Sequence, residues 1–234
     1  MTNDIDKSSF ASYFHKTIGG YNPAKLQRIQ DLIDYHISNG NMNVFNMLNT
    51  KYFITTNDQG QAQQQPNMGA LGNAWFVEDI ILLKTNLEEL NGLSGFDPAK
   101  TALVNTEFSN YFEGWTVSKA DNARIQLTEY KPSKLTYTTT GTGDKLAVFS
   151  EIWYGPNKGW QAYLDGEPVD HIRVNYALRG MRVPPGSHEI VFEFDPQSYK
   201  TGNMISLIAS LILLGFLAFM IYTMVKKKSS AKSA

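Results

Sequence analysis

Apolar positions recur three and four residues apart at Leu26, Ile29, Ile33 and Ile37, the spacing of one helical face. Asn22-Pro23 precedes this stripe as an N-cap followed by proline at the first helical position, and Gly40 stops it, so the pattern predicts an amphipathic helix over 23–38. A second short helix is expected around Val44–Leu48, and the apolar run Lys51–Thr55 reads as a strand. The glutamine-rich segment Asn57–Asn67 has no apolar period and is expected to be an exposed loop. Beyond it Ala74–Leu83 reads as one strand, Thr85 to Glu88 has the capping-box pattern that opens a short helix, Phe96-Asp97-Pro98 makes a turn, and Thr101–Asn105 is a further strand.

The period then changes. After Ala120–Asn122 short runs alternate apolar and polar residues between turn signals, predicting strands at Arg124–Tyr130, Leu135–Thr140, Lys145–Tyr154, Trp160–Leu164, Ile172–Ala177 and Ser187–Asp195. Asp165-Gly166 fits a tight hairpin turn, and the apolar or aromatic character of both faces of Lys145–Tyr154 marks a central strand. The fold class expected is therefore α+β, a mixed α/β part over 1–120 followed by an antiparallel β-sandwich or jelly roll over 121–200.

Residues 201–225 carry no charged side chain, and a stretch of about 20 apolar residues is what a helix needs to cross a bilayer. Lys226, Lys227, Lys228 and Lys232 follow it, against Lys200 alone on the other side. The positive-inside rule then places the tail 226–234 in the cytoplasm and residues 1–200 on the outer side of the membrane. Setting those four lysines aside takes the 21 basic residues to 17 against 22 acidic ones, a formal −5, which argues against nucleic acid as a partner. The chain has no cysteine, so disulfides and thiolate metal sites are excluded. The polar, acidic start MTNDIDKSSF has neither a basic nor an apolar leader region. Export of residues 1–200 would then require upstream helices, with Met1 inside a longer reading frame. The competing arrangement, a tail anchor with a cytoplasmic domain, puts the lysines on the wrong side.

Several stretches form a recognisable set: YFHKTIGGYNPAKLQRIQDLID (Tyr13–Asp34), NMLNTKYFI (Asn46–Ile54), GALGNAWFVE (Gly69–Glu78), FDPAKTALV (Phe96–Val104), SEIWYGPNKGWQAYLDGEPV and NYALRGMRVPPGSHEIVFEF. In this order, from about Ser12 to the final helix, they resemble the carboxy-terminal region of the YfhO family of bacterial membrane proteins. The resemblance implies a multi-span protein similar to GT-C glycosyltransferases, which move a sugar from a polyprenyl-phosphate carrier to an acceptor outside the membrane. In such enzymes the acidic catalytic residues sit in early external loops that this chain lacks, so no catalytic residue is carried over and no cofactor is expected here.

Three clusters hold candidate chemistry. Tyr13, His15, Lys16, Gly19, Gly20, Tyr21, Lys25 and Arg28 combine a glycine turn with aromatic and basic groups before a helix, an arrangement that can hold a lipid or carrier phosphate and equally serves as a packed turn. Glu151, Trp153, Tyr154, Trp160, Tyr163 and Asp165 combine carboxylates with sugar-stacking aromatics, suited to a carbohydrate groove or, alternatively, to a sandwich core with a hairpin aspartate. Arg173, Asn175, Tyr176, Arg179 and Arg182 line up guanidinium groups for phosphate or for an ion pair such as one with Glu151. His15, His36, His171 and His188 have no ligand spacing, so no metal site is expected. Together these readings point to an extracytoplasmic acceptor-recognition region, partnered by the bilayer, by a glycan or polyprenyl-phosphate sugar, and by an upstream or separate multi-span portion. The rival is a membrane-anchored carbohydrate-binding or envelope assembly protein without catalysis.

Overall fold

A computed structural model describes residues 10–20, 22–119, 122–155 and 158–230. Two compact units emerge, one of residues 1–155 with 161–193, the other of 156–160 with 194–234.

The first unit begins with α1 (Phe10–Phe14) and α2 (Gln27–Leu32), which runs on as a π-helical turn over Ile33–Ile37, then α3 (Met42–Met47). Asn22 does not cap a helix as expected. Its Oδ1 accepts the Ala24 N–H at 2.9 Å and its carbonyl accepts the Lys25 N–H, so a turn occupies 22–25 and the helix starts at Gln27. The wider π turn buries Ile33, His36 and Ile37 together. His36 is held there by Leu90 O at 2.8 Å and by Asn41 at 3.0 Å, and burial lowers its pKa, which keeps the ring neutral.

Strands β1 (Tyr52–Thr56) and β2 (Ala62–Pro66) form a two-stranded antiparallel hairpin. The glutamine-rich segment is thus a strand where a loop was expected. Its pairing partner supplies the backbone order that its own exposed side chains, with no apolar period, do not signal. The single strand expected over Ala74–Leu83 is two, β3 (Ala74–Val77) and β4 (Asp79–Leu83), which part at Glu78 to join different sheets. α4 (Asn86–Gly92) opens on the expected capping box, with Thr85 Oγ1 accepting the Glu88 N–H at 3.1 Å and Glu88 accepting the Thr85 N–H in return. It connects β4 to β5 (Thr101–Asn105), which lie parallel. A 3-10 helix, Thr106–Phe112, follows.

The remaining strands are β6 (Arg124–Lys131), β7 (Lys134–Gly141), β8 (Lys145–Ile152), β9 (Trp160–Leu164), β10 (Glu167–Val169), β11 (Ile172–Val174), β12 (Leu178–Val183) and β13 (Gly186–Phe194). They build a five-stranded sheet ordered β10-β9-β13-β7-β6 and a four-stranded sheet ordered β11-β12-β8-β3. Every strand pair whose register is defined in these two sheets is antiparallel. The expected strand Ile172–Ala177 stops at Val174 because Asn175 and Tyr176 take positive φ (48° and 70°), and the chain returns as β12, which the alternation had not revealed. The Asp165-Gly166 hairpin is as predicted, with φ of 51° and 86°, a pair suited to a two-residue turn and open to glycine at its second position.

β8 is the central strand. Leu146 and Val148 face the cluster that holds Leu32, Val44, Val77 and Leu103, while Phe149 meets Tyr137 at 4.9 Å and Phe192 at 4.8 Å between ring centroids, both on the five-stranded sheet. The four-stranded sheet is therefore covered on both faces, which is why Lys145–Phe149 is buried at every position.

In the second unit α5 (Gln197–Ser230) follows Phe194. Its root is fastened to Gly159 and Trp160: Asp195 N–H donates to Gly159 O at 2.6 Å, and the Trp160 and Phe194 rings lie 5.4 Å apart. Gly159 has φ 109°, and a Cβ there would sit 2.6 Å from the Phe194 ring. Among the described residues one helix is long and apolar enough to cross a membrane, Gln197–Met224, and none of it is buried.

Candidate functional site

The three sequence clusters are redistributed by the fold. From the first, Gly19, Gly20 and Lys25 line a cleft of about 190 Å³ whose floor is Ile18, Leu26, Ile29, Ile33 and Ile152, with Tyr154 at its side. The cleft thus joins part of the glycine turn to one aromatic of the second cluster. Gly19 donates its N–H to Thr17 Oγ1 at 2.9 Å, and the turn stands well ahead of α2 and not at its start. His15 is exposed. Lys16 leaves the turn to place its ammonium 3.1 Å from the centre of the Tyr130 ring, and Arg28 belongs to the network described below. Tyr21 lies outside the described residues.

From the second cluster, Glu151 faces the interior between the sheets, and burial pushes its carboxyl up while Arg179 and then Lys16 pull it back. Trp153 packs edge-on to Phe108 at 5.6 Å. Trp160 is in the second unit with Phe194. Asp165 serves the hairpin: its Oδ2 meets His188 Nδ1 at 2.6 Å and its Oδ1 accepts the Glu189 N–H at 2.8 Å. His188 accordingly rises above its ordinary pKa, and Asp165 falls below its own, each through the other's hydrogen bond first.

The third cluster divides by strand face. Arg182 stacks on Tyr111 at 4.6 Å and Trp115 at 5.9 Å, whereas Arg179 is buried with its Nε on Ile152 O at 3.0 Å. Arg173 pairs with Glu89 and Glu107, each at 2.5 Å, and not with Glu151. The reason is position: β11 lies at the end of its sheet beside β5 and the 3-10 helix, away from the interior that Glu151 faces.

Around that pair the turn after β11 is clasped from every side. Glu89 Oε1 accepts the Tyr176 N–H at 2.8 Å, Arg28 and Arg173 both donate to Tyr176 O, and Asn175 Oδ1 accepts the Leu103 N–H at 2.8 Å. Tyr176 donates to Asp31, and burial followed by that bond pushes its phenol up to about 12. Burial pushes Glu89 up, and Arg173 opposes it. Two residues central to these arrangements had no sequence signal. Glu89 reads as an ordinary acidic residue on a short exposed helix, and Tyr137 sits in a threonine-rich strand.

The described residues thus comprise a β-rich domain with a buried ionic clasp and one helix of membrane-crossing length. Residues 101–206, from β5 into the first turns of α5, match the family described as bacterial membrane protein YfhO. The motifs quoted from Tyr13 to Glu78 lie before it. No curated protein and no solved structure matches the chain.

Proposed function

We propose that this chain is an extracytoplasmic acceptor-recognition region of a YfhO-like membrane glycosyltransferase that uses a polyprenyl-phosphate-linked sugar, with the transfer chemistry carried by other parts of such a protein. The family match over β5 to α5 is the observation that carries the reading. The glycine-turn cleft, where Lys25 and Tyr154 line one hollow, supports ligand contact on that side of the domain. The four lysines after Met224 support a cytoplasmic tail with the β-rich domain on the outer side.

Glycan and polyprenyl-phosphate binding to the detergent-solubilised full chain tests this. Saturable binding of a glycan supports it, and absence of binding to both ligand classes sinks it. The competing reading, a membrane-anchored carbohydrate-binding or assembly protein, separates from it in cells. Recovery of the chain from membranes without any multi-span glycosyltransferase segment, covalent or associated, favours the competitor.

A further inference from the structure

Aromatic side chains gather at the root of α5. Within the second unit Phe194 is 42% exposed and Tyr199 67% exposed. Trp160, brought in from a separate stretch of the chain, sets its ring 5.4 Å from that of Phe194. Backbone fixes the approach. Gly159 O accepts the Asp195 N–H, and a Cβ on Gly159 would stand 2.6 Å from the Phe194 ring and 3.1 Å from Pro196. Lys158 beside it is exposed, and Lys200 near the start of α5 pairs with Asp195 at 2.5 Å. The helix beyond supplies a ruler. Residues 204–224 carry no charged side chain, and all of them are exposed. At about 1.5 Å per residue they measure about 30 Å, the thickness of a bilayer's hydrocarbon core. The headgroup layers add about 5–8 Å on each side, and Tyr199 lies about 8 Å before Met204 along the axis. Between Tyr199 and Tyr222, about 35 Å apart on one helix, the chain has no tyrosine or tryptophan. That spacing is the pattern of two interfacial belts around one hydrocarbon core. Cα–Cβ bonds in a helix tilt toward its N-terminus, so Tyr199 leans back toward the root.

We propose that Trp160, Phe194 and Tyr199, with Lys158, form a collar that rests in the phospholipid headgroup layer, so that the segment entering β9 touches the membrane as well as α5. Indole and phenol groups suit that layer, because the ring meets the acyl boundary while the N–H or O–H meets phosphate, glycerol or water. A lysine at the same depth lays its stem along the apolar boundary and donates from its ammonium to lipid phosphate. Trp160 is then a membrane contact and not a sugar-stacking face. The inference needs only the membrane-crossing helix and stands apart from glycan recognition.

The experiment exploits a chain without cysteine. The full chain carrying Lys158→Cys, or Leu213→Cys in the middle of α5, is labelled with an NBD dye and reconstituted into vesicles of phosphatidylcholine and phosphatidylglycerol. Both substitutions replace exposed side chains, so the fold is retained. Quenching is read with spin labels carried on the lipid headgroup or near the middle of the acyl chain. The dye at position 158 is expected to be quenched about twofold more by the headgroup label than by the mid-chain label, and the dye at 213 to show the reverse. Absence of headgroup quenching at 158, with 213 quenched from the acyl chain, overturns the collar and puts this segment in water or against protein. Absence of quenching at both positions overturns the collar together with the membrane span it rests on.

Discussion

Arg173 is the side chain on which the interior of the first unit turns. It is 1% exposed, and its guanidinium is divided between Glu89, fully buried, and Glu107, about half exposed. Removing one partner of a buried pair leaves the other charge without compensation, which costs about 3–5 kcal/mol. Glu89→Ala is therefore expected to lower unfolding stability by about that much, since it also strips the Tyr176 N–H of its acceptor. A double variant, Glu89→Leu with Arg173→Met, is expected to recover most of the loss in the same denaturant titration. A loss under about 1 kcal/mol for Glu89→Ala would mean that Glu107 alone balances Arg173.

The His188–Asp165 contact gives a second prediction at this scale. His188 has a folded pKa above its ordinary value of 6.5, so its contribution is whole below 6.5 and is lost as pH rises through the folded value. Asp165 has a folded pKa below 3.8, so its contribution is whole above 3.8 and is lost as pH falls through the folded value. The contact is thus worth most between these two ordinary values. His188→Gln is expected to destabilise the protein more at pH 5 than at pH 8, measured by thermal unfolding, although exposure of Asp165 keeps the difference small. His171 acts in the opposite sense, because its depressed pKa costs stability as pH falls below 6.5, and comparison with the His188 variant cancels it. An equal loss at both pH values would remove the ionic contribution.

At the scale of elements, local signals succeeded wherever the chemistry was carried by neighbours in the chain. The Thr85–Glu88 capping box and the Asp165-Gly166 turn are of that kind, and both formed as read. Thr85→Ala is expected to cost about 1 kcal/mol, read from the unfolding midpoint, because the Glu88 N–H loses its acceptor at the start of α4. The signals failed where a distant partner decides. The glutamine-rich β2 is ordered by β1, the division at Glu78 follows from two sheets competing for one apolar run, and β12 hides because Asn175 and Tyr176 turn in a conformation that only long-range contacts from Glu89, Arg28 and Leu103 secure. The candidate sites follow the same rule. Alternation placed Glu151 and Trp153 on a strand, but which sheet face each meets depends on β7 and β13, whose pairing with each other no local pattern reveals.

For the whole molecule, the stretch that is similar to bacterial membrane protein YfhO and the apolar helix both point to a membrane. The direction of insertion is open to a clean test because the chain has no cysteine. A Ser187→Cys variant, placed at an exposed position near the start of β13, is expected to react with a membrane-impermeant maleimide added outside intact spheroplasts. Labelling only after the membrane is opened would reverse the proposed orientation. Insertion of the helix itself is expected to survive substitution of Ser206 and Ser210 by alanine, since Ser210 Oγ already bonds back to Ser206 O within the helix.

The fastening of Gly159 and Trp160 to Asp195 and Phe194 has a mechanical meaning. The chain enters β9 and leaves β13 at the same place, and these two strands are neighbours in one sheet. Tension arriving along α5 is accordingly shared by two strand ends. A knot of one hydrogen bond and two rings in tilted contact thus works as a strain relief, like the clamp on a cable where it enters a housing, and spares β13 from being peeled out of its sheet alone.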